Sequence, residues 1–346
     1  MKINLKLTVG YPNSENILYF SELDGFWTSP QGGYKALGKS NYIDLAQDND
    51  DLTSQHYTLQ WGKDVNFLEF MQARPMLKSV MASAKLGWQS LFEEIQYRAR
   101  DSSISVYDAA CGYGSIANEL INEVSAINLT YCGADIHGSL DNILKMTPLF
   151  SKCGLLIRWN ISKPLPIIEK FDYVICRNAI HHTPNPEKSF ESICSSLKLG
   201  GKVAISVYKK KAIGREALDE AFRNVISKMP PEEAFEVSRQ FTILGKALQQ
   251  IQETIILEED LPLLGIQKGE STVHNLIYYH FLKCFYNQDF GDMYSTLVNY
   301  DWYHPPFAYR YEIDEVKDWF VKNGIELKQT ITSDVQHYLE GTKIKV

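Results

Sequence analysis

The chain has 346 residues, 45% of them apolar, with a formal net charge of −7 and a pI near 5.7. This is enough apolar matter for one large domain or two, and the acidic balance argues against a general nucleic-acid binder, because neutralising phosphates takes a basic face. No apolar run approaches the roughly 18 residues of a membrane span or forms a signal peptide, so a soluble, cytoplasmic protein is expected.

Residues 1–65 are rich in turn formers, with YPNSEN, TSPQGGYKALGKSN and AQDNDD separating short apolar pieces, which predicts a small irregular N-terminal element. From Asn66 to Arg100 the residues Phe67, Phe70, Met71, Met76, Val80, Leu86, Trp88, Leu91 and Ile95 return at mostly helical spacing, with a break or start at Pro75.

Then short β-branched runs alternate with helical segments. Strands are expected at 105–108, 129–135, 155–159, 173–177 and 203–208, with helices at 115–124, 138–151 and 186–197. This alternation predicts a parallel sheet with right-handed crossovers. From Ile213 to about Phe290 long helical stretches take over. The last residues read as helix, turn and two strands, at 324–329 and 341–346. The expected division is therefore 1–65, a core over 66–208 with its leading helices, a helical part over 209–321, and 322–346 completing the core sheet. The six cysteines, Cys111, Cys132, Cys153, Cys176, Cys194 and Cys284, are too widely spaced for a CxxC metal site. No metal is expected.

The stretch 106-VYDAACGYGSIANEL-120 follows the first predicted strand of the alternating region and opens a helix. Gly112 and Gly114 let the chain turn tightly and a ligand approach closely. Asp135 ends the next strand, 21 residues after Gly114, where a carboxylate can accept hydrogen bonds from ribose hydroxyls. Asp108 stands four residues before Gly112. An acid there repels a pyrophosphate and favours a sulfonium or ammonium group.

With Asp108-Ala109-Ala110-Cys111-Gly112-Tyr113-Gly114, the chain resembles the class I S-adenosylmethionine-dependent methyltransferases. The likeness continues through 171-FDYVICRNAIHHTPNPEKSFESICSSLKLGGKVAISVY-208 and covers about a third of the chain. It implies a Rossmann-like seven-stranded mixed α/β sheet with an N-terminal extension and a helical substrate cap, and S-adenosyl-L-methionine as cofactor. It implies further that Asp108 to Gly114 face the methionine part, that Asp135 binds the ribose, and that Ile136 lies against the adenine. Asn160 and Ile161 follow the third strand on the adenine side, and Arg177 and Asn178 end the fourth under the cofactor. Ala110 replaces a usual glycine, and its backbone is expected at negative φ. A cysteine-free remnant of a zinc-ribbon-like piece is a further expectation for residues 1–65.

Methyl transfer to a hydroxyl or carbon acid also needs proton removal. His181 and His182, after the fourth strand, and His304 are the candidate bases, with His274 behind them. Asn178-Ala179-Ile180-His181 lacks the Asn-Pro-Pro-Tyr signature of adenine methylation. Thirteen aromatic residues between Tyr278 and Tyr311 could line a flat acceptor site or form a packing core. The expected activity is methyl transfer to a small-molecule acceptor such as a natural product or sugar intermediate. The alternatives are a tRNA or protein methyltransferase, for which Lys209-Lys210-Lys211 and Arg215 would be the basic patch, and a non-enzymatic Rossmann-like binding protein.

Overall fold

The computed structural model describes residues 8–10, 17–21, 26–28, 35–39, 41–46, 52–61, 87–123, 128–138, 140, 143–144, 147 and 149–345. The chain forms two compact units: Met1–Lys209 with Tyr311–Val346, and Lys210–Arg310.

The first unit is built on one sheet. Its N-terminal strands are β1 (Val9–Gly10), β2 (Ile17–Ser21), β3 (Phe26–Thr28), β4 (Lys35–Lys39) and β5 (Tyr42–Asp44), followed by helix α1 (Leu52–Gln60) and helix α2 (Trp88–Arg98). Then come β6 (Ile104–Ala109), α3 (Ser115–Glu123), β7 (Leu129–Asp135), the short α4 (Phe150–Cys153), β8 (Gly154–Arg158), β9 (Phe171–Cys176), α5 (Pro186–Cys194) and β10 (Leu197–Tyr208). Most of the helical pattern expected over 66–100 lies outside the described residues, as does part of that over 138–151.

The second unit runs α6 (Ile213–Ile226), α7 (Pro231–Gln249), a hairpin of β11 (Thr254–Leu257) and β12 (Gly269–Thr272), α8 (Val273–His280) and α9 (Gly291–Tyr303). The chain re-enters the first unit through α10 (Ile313–Lys322), β13 (Ile325–Thr332) and β14 (Gln336–Lys343). Helix α10 starts with a reciprocal capping box between Glu312 and Glu315 and packs on α5 through Phe320 and Phe190, rings 4.8 Å apart.

Strand order is β1-β2-β3-β4-β5-β8-β7-β6-β9-β10-β14-β13. The seven strands from β8 to β13 are the mixed sheet expected from the sequence, parallel from β8 to β10 with β14 antiparallel beside β10. Apolar clusters cover both faces, which is why β7 and β8 are buried along their whole length.

The sheet has twelve strands rather than seven, because the turn-rich N-terminus folds as five short strands on the edge of β8. Strand β5 runs parallel to β8, pairing Tyr42 with Leu156 and Asp44 with Arg158. Leu156 donates its N–H to the Asn41 carbonyl at 2.8 Å, and the Asn41 amide donates to the Gly154 carbonyl at 2.6 Å. An open β8 edge would leave such groups unpaired. Val9, Leu18, Trp27, Ile43 and Leu45 enter one of the two cores.

Candidate active site

The chain order reverses between β6 and β9, since β7 and β8 lie on one side of β6 and β10 lies beyond β9. Ligands bind at such a switch point, beyond the C-terminal ends of the parallel strands. The loops there carry almost all the candidate residues: Asp108 to Gly114 after β6, Asp135 to His137 after β7, Asn160 and Ile161 after β8, and Arg177 to His182 after β9.

Asp108 is 1% exposed, and its Oδ2 accepts a hydrogen bond from the Tyr131 hydroxyl. Its Oδ1 is buried with no partner among the described residues. Burial pushes this carboxyl up to about 7, the Tyr131 hydrogen bond and the Arg177 guanidinium opposing the rise and Asp135 adding to it. A carboxylate in this position keeps one oxygen without a hydrogen-bond donor among the described residues, which a cationic ligand group can satisfy.

Asp135 is built into its turn. Its Oδ2 accepts the Gly112 N–H at 2.8 Å, and its Oδ1 accepts those of Ile136 at 2.7 Å and His137 at 3.3 Å. The His137 ring returns the link, with Nε2 2.9 Å from the Gly112 carbonyl. The two loops are thus fastened to each other, with carboxylate lone pairs still available for hydroxyl donors.

Gly112 and Gly114 adopt φ +53° and +83°, and a Cβ on Gly114 would come within 2.8 Å of the Ile143 side chain. Glycine is needed at Gly114 on both counts. Ala110, expected at negative φ, sits at φ 62°. The loop therefore keeps the left-handed turn that a glycine would make, and the methyl group is carried at a cost of about 1–2 kcal/mol. Asn178 also has positive φ, 55°, a region asparagine tolerates. Its N–H donates to Ser206 Oγ at 2.9 Å, and that hydroxyl donates back to Asn178 Oδ1 at 2.5 Å.

Ala109 is fully buried at the end of β6, and Cys111, in the loop proper, is also buried. Burial pushes the Cys111 thiol up, against thiolate chemistry. All six cysteines are buried and free of disulfides. Tyr113 lies beside Trp61, rings 5.1 Å apart, and Arg177 donates to Ser115 Oγ. Asn160 uses its side-chain oxygen to accept the Ser162 N–H at 2.9 Å, and Ile161 is buried beside it. Among the described residues no group of histidine, cysteine, aspartate and glutamate could hold a metal ion.

His181 and His182 form a single 3-10 turn and are both buried. The His181 ring lies 4.3 Å from that of His182 and 3.9 Å from that of Tyr208, and His182 meets Tyr57 edge-on at 5.9 Å. His304 belongs to the second unit, where its Nε2 lies 3.0 Å from the Met229 carbonyl and its ring stacks on Tyr300 at 4.8 Å. Burial holds its pKa below the usual histidine value. His274 in the same unit has Nε2 3.2 Å from the Cys284 carbonyl. Sequence reasoning missed α1 altogether. This helix and the residue after it bring Ser54, Tyr57, Thr58 and Trp61 to the loops, with Thr58 Oγ1 accepting the Gly138 N–H at 2.9 Å.

An open α/β sheet with a glycine-bearing loop at its switch point is an architecture whose ligands bind beside that loop. Residues 84–242 match a family model described as a methyltransferase domain. Over those residues, a little under half of its length, the chain is similar to methyltransferase domains, and the cofactor that the sequence resemblance implies is S-adenosyl-L-methionine. Phosphoethanolamine N-methyltransferase 2 of Caenorhabditis elegans is 52% identical over 40 residues, 12% of this chain and 9% of that protein. The magnesium protoporphyrin IX methyltransferase of Synechocystis PCC 6803 with bound SAH aligns at 12% identity and TM-score 0.43, over 85% of this chain and 95% of that one. The N-methyltransferase NodS of Bradyrhizobium japonicum WM9 aligns at 8% identity and TM-score 0.41, over 85% and 100%. At these scores the likenesses say nothing about substrate.

The residues present fit this cofactor. The orphaned Asp108 oxygen suits an ammonium group, and Asp135 retains acceptor capacity for hydroxyls. No helix among the described residues is long and apolar enough to cross a membrane.

Proposed function

We propose that the protein transfers the methyl group of S-adenosylmethionine to an oxygen or nitrogen atom of a small-molecule acceptor. The observation that carries this reading is the unpartnered, buried Asp108 oxygen in a loop closed by Asp135, which supports a cationic, ribose-bearing ligand. When bound, the cofactor supplies an activated methyl group on a sulfonium.

The chain's own residues then have three tasks. Asp108 with Ala109 to Gly114 holds the amino-acid end. Asp135, Ile136, Asn160 and Ile161 hold the adenosine, and Arg177 and Asn178 support the loop from below. His182 takes the acceptor proton, because it meets Tyr57 of α1 and is the less deeply buried of the two, whereas His181 is fully buried against Tyr208. His304 ranks lower as a base because its Nε2 already lies within hydrogen-bond reach of a backbone carbonyl. A small acceptor suits the net charge of −7 better than RNA does.

The test is radiolabelled methyl transfer to panels of small hydroxyl and amine acceptors, with bulk tRNA and protein as comparators. Turnover of a small acceptor that His182→Ala lowers about 10²–10⁴-fold, the usual range for acid–base catalysis, supports the reading. Transfer to tRNA or protein alone would overturn it.

A further inference from the structure

Arg158 ends β8 between two parallel neighbours, in register with Asp135 of β7 on one side and Asp44 of β5 on the other. It is 8% exposed. Among the described residues its guanidinium donates to three partners. Nε donates to the Ile136 carbonyl at 3.0 Å, one terminal nitrogen donates to Asp44 Oδ2 at 3.1 Å, and the other donates to Ser54 Oγ at 3.3 Å. Ser54 Oγ in turn donates to the same Ile136 carbonyl at 3.1 Å.

The turn after β7 is therefore held from two directions. From inside, the Asp135 carboxylate takes the N–H groups of Ile136 and His137. From outside, Arg158 and Ser54 converge on the Ile136 carbonyl, and Thr58 accepts the Gly138 N–H. Every outer partner except Arg158 comes from the N-terminal segment. Arg158 is hydrogen-bonded to β5, to α1 and to the turn at once. A guanidinium presents its donors in a fixed planar fork, so it sets the mutual geometry of its partners in a way an ammonium cannot.

We propose that Arg158 is a positioning residue for the cofactor: it locks the Asp135–Ile136 backbone to the N-terminal segment, so that cofactor affinity depends on Asp44 and Ser54, which themselves lie outside the cofactor loops. The proposal rests on the assignment of Asp135 and Ile136 to the adenosine side. Misplacing a ribose-binding carboxylate by a fraction of an ångström weakens the bound complex without changing which groups are present.

The experiment measures S-adenosylhomocysteine affinity by calorimetry on the full chain, with thermal unfolding of the ligand-free protein beside it. Arg158→Ala should weaken affinity about 30-fold, and Arg158→Lys should restore unfolding behaviour yet recover affinity only in part, the charge being kept and the fork lost. Asp44→Asn should weaken affinity several-fold in a protein that unfolds like the wild type. Combined with Arg158→Ala it should add nothing further, as expected of residues acting through one contact. Affinity within twofold of wild type in Arg158→Lys and Asp44→Asn would overturn the proposal, even if Arg158→Ala fails to fold. Asp135→Ala separates the two levels. Loss of binding there with Arg158 variants unaffected leaves the cofactor site standing and removes the positioning role, whereas binding retained in Asp135→Ala removes both.

Discussion

Two buried aspartates, one in each unit, show what separates a structural acid from a functional one. In the second unit Asp219 is fully buried, and its Oδ2 accepts Arg215 Nε at 2.6 Å and the Trp302 indole N–H at 2.9 Å. The Tyr303 hydroxyl lies 3.3 Å from its Oδ1 and Arg310 4.0 Å from its Oδ2. In the first unit Asp108 is as deeply buried but has one hydroxyl donor, and its other oxygen has no partner among the described residues. Burying a charge costs several kcal/mol unless partners offset it. Asp219 has its partners within the fold, whereas Asp108 keeps one oxygen open, the one our proposal gives to the cofactor.

The largest expected effect tests the structural side. Asp219→Ala strands the buried Arg215 and should destabilise the second unit by about 3–5 kcal/mol, read as an early unfolding transition in denaturant. An unchanged transition would mean the network is dispensable. Next, Asp135→Ala should abolish the thermal stabilisation conferred by S-adenosylhomocysteine, because both the ribose acceptor and the Gly112 and Ile136 anchors are lost. Stabilisation equal to wild type would remove the ribose assignment.

A smaller effect is expected at Asp108. Its folded pKa, about 7, lies above the ordinary aspartate value of 3.8. Its contribution to stability is therefore fully present below pH 4 and is lost as pH rises through 7. Asp108→Asn should remove that loss, leaving the ligand-free protein more stable than wild type at pH 8 by thermal unfolding. A less stable variant would show that the acid is structural. The smallest effect is at Ala110, where glycine relieves the left-handed strain and should raise stability by a few tenths to about 1 kcal/mol, less the entropy glycine loses on folding. Destabilisation there would argue against the φ of 62°.

Much of the sheet was legible because parallel strands covered on both faces read as short β-branched runs, so β6 to β10 fall where the alternation places them, within a few residues. The candidate loops after β6 and β7 followed from the spacing of Asp108, Gly112, Gly114 and Asp135, and those after β8 and β9 from the family resemblance. The N-terminal strands were obscured because two to five residues are too few to show a period of two. Helix α1 was hidden for a different reason: LTSQHYTLQ has few apolar residues and only a weak helical periodicity, and its use of Ser54 and Thr58 as hydrogen-bonding groups leaves no apolar stripe to detect. The β11–β12 hairpin, with its half-exposed TIIL strand, was absorbed into the helical pattern beside it. At Ala110 the preference of L-residues for negative φ pointed the wrong way, since the loop geometry overrides it at modest cost.

The central claim is that Asp108 is completed by the cationic end of the cofactor, and the direct measurement is S-adenosylhomocysteine affinity between pH 6 and pH 8 in wild type and Asp108→Asn. The ammonium group favours the ionised carboxylate, so wild-type affinity should rise about tenfold across that range as Asp108 loses its proton. The variant should bind more weakly at pH 8 and lose that rise. Equal slopes in the two proteins would contradict the account.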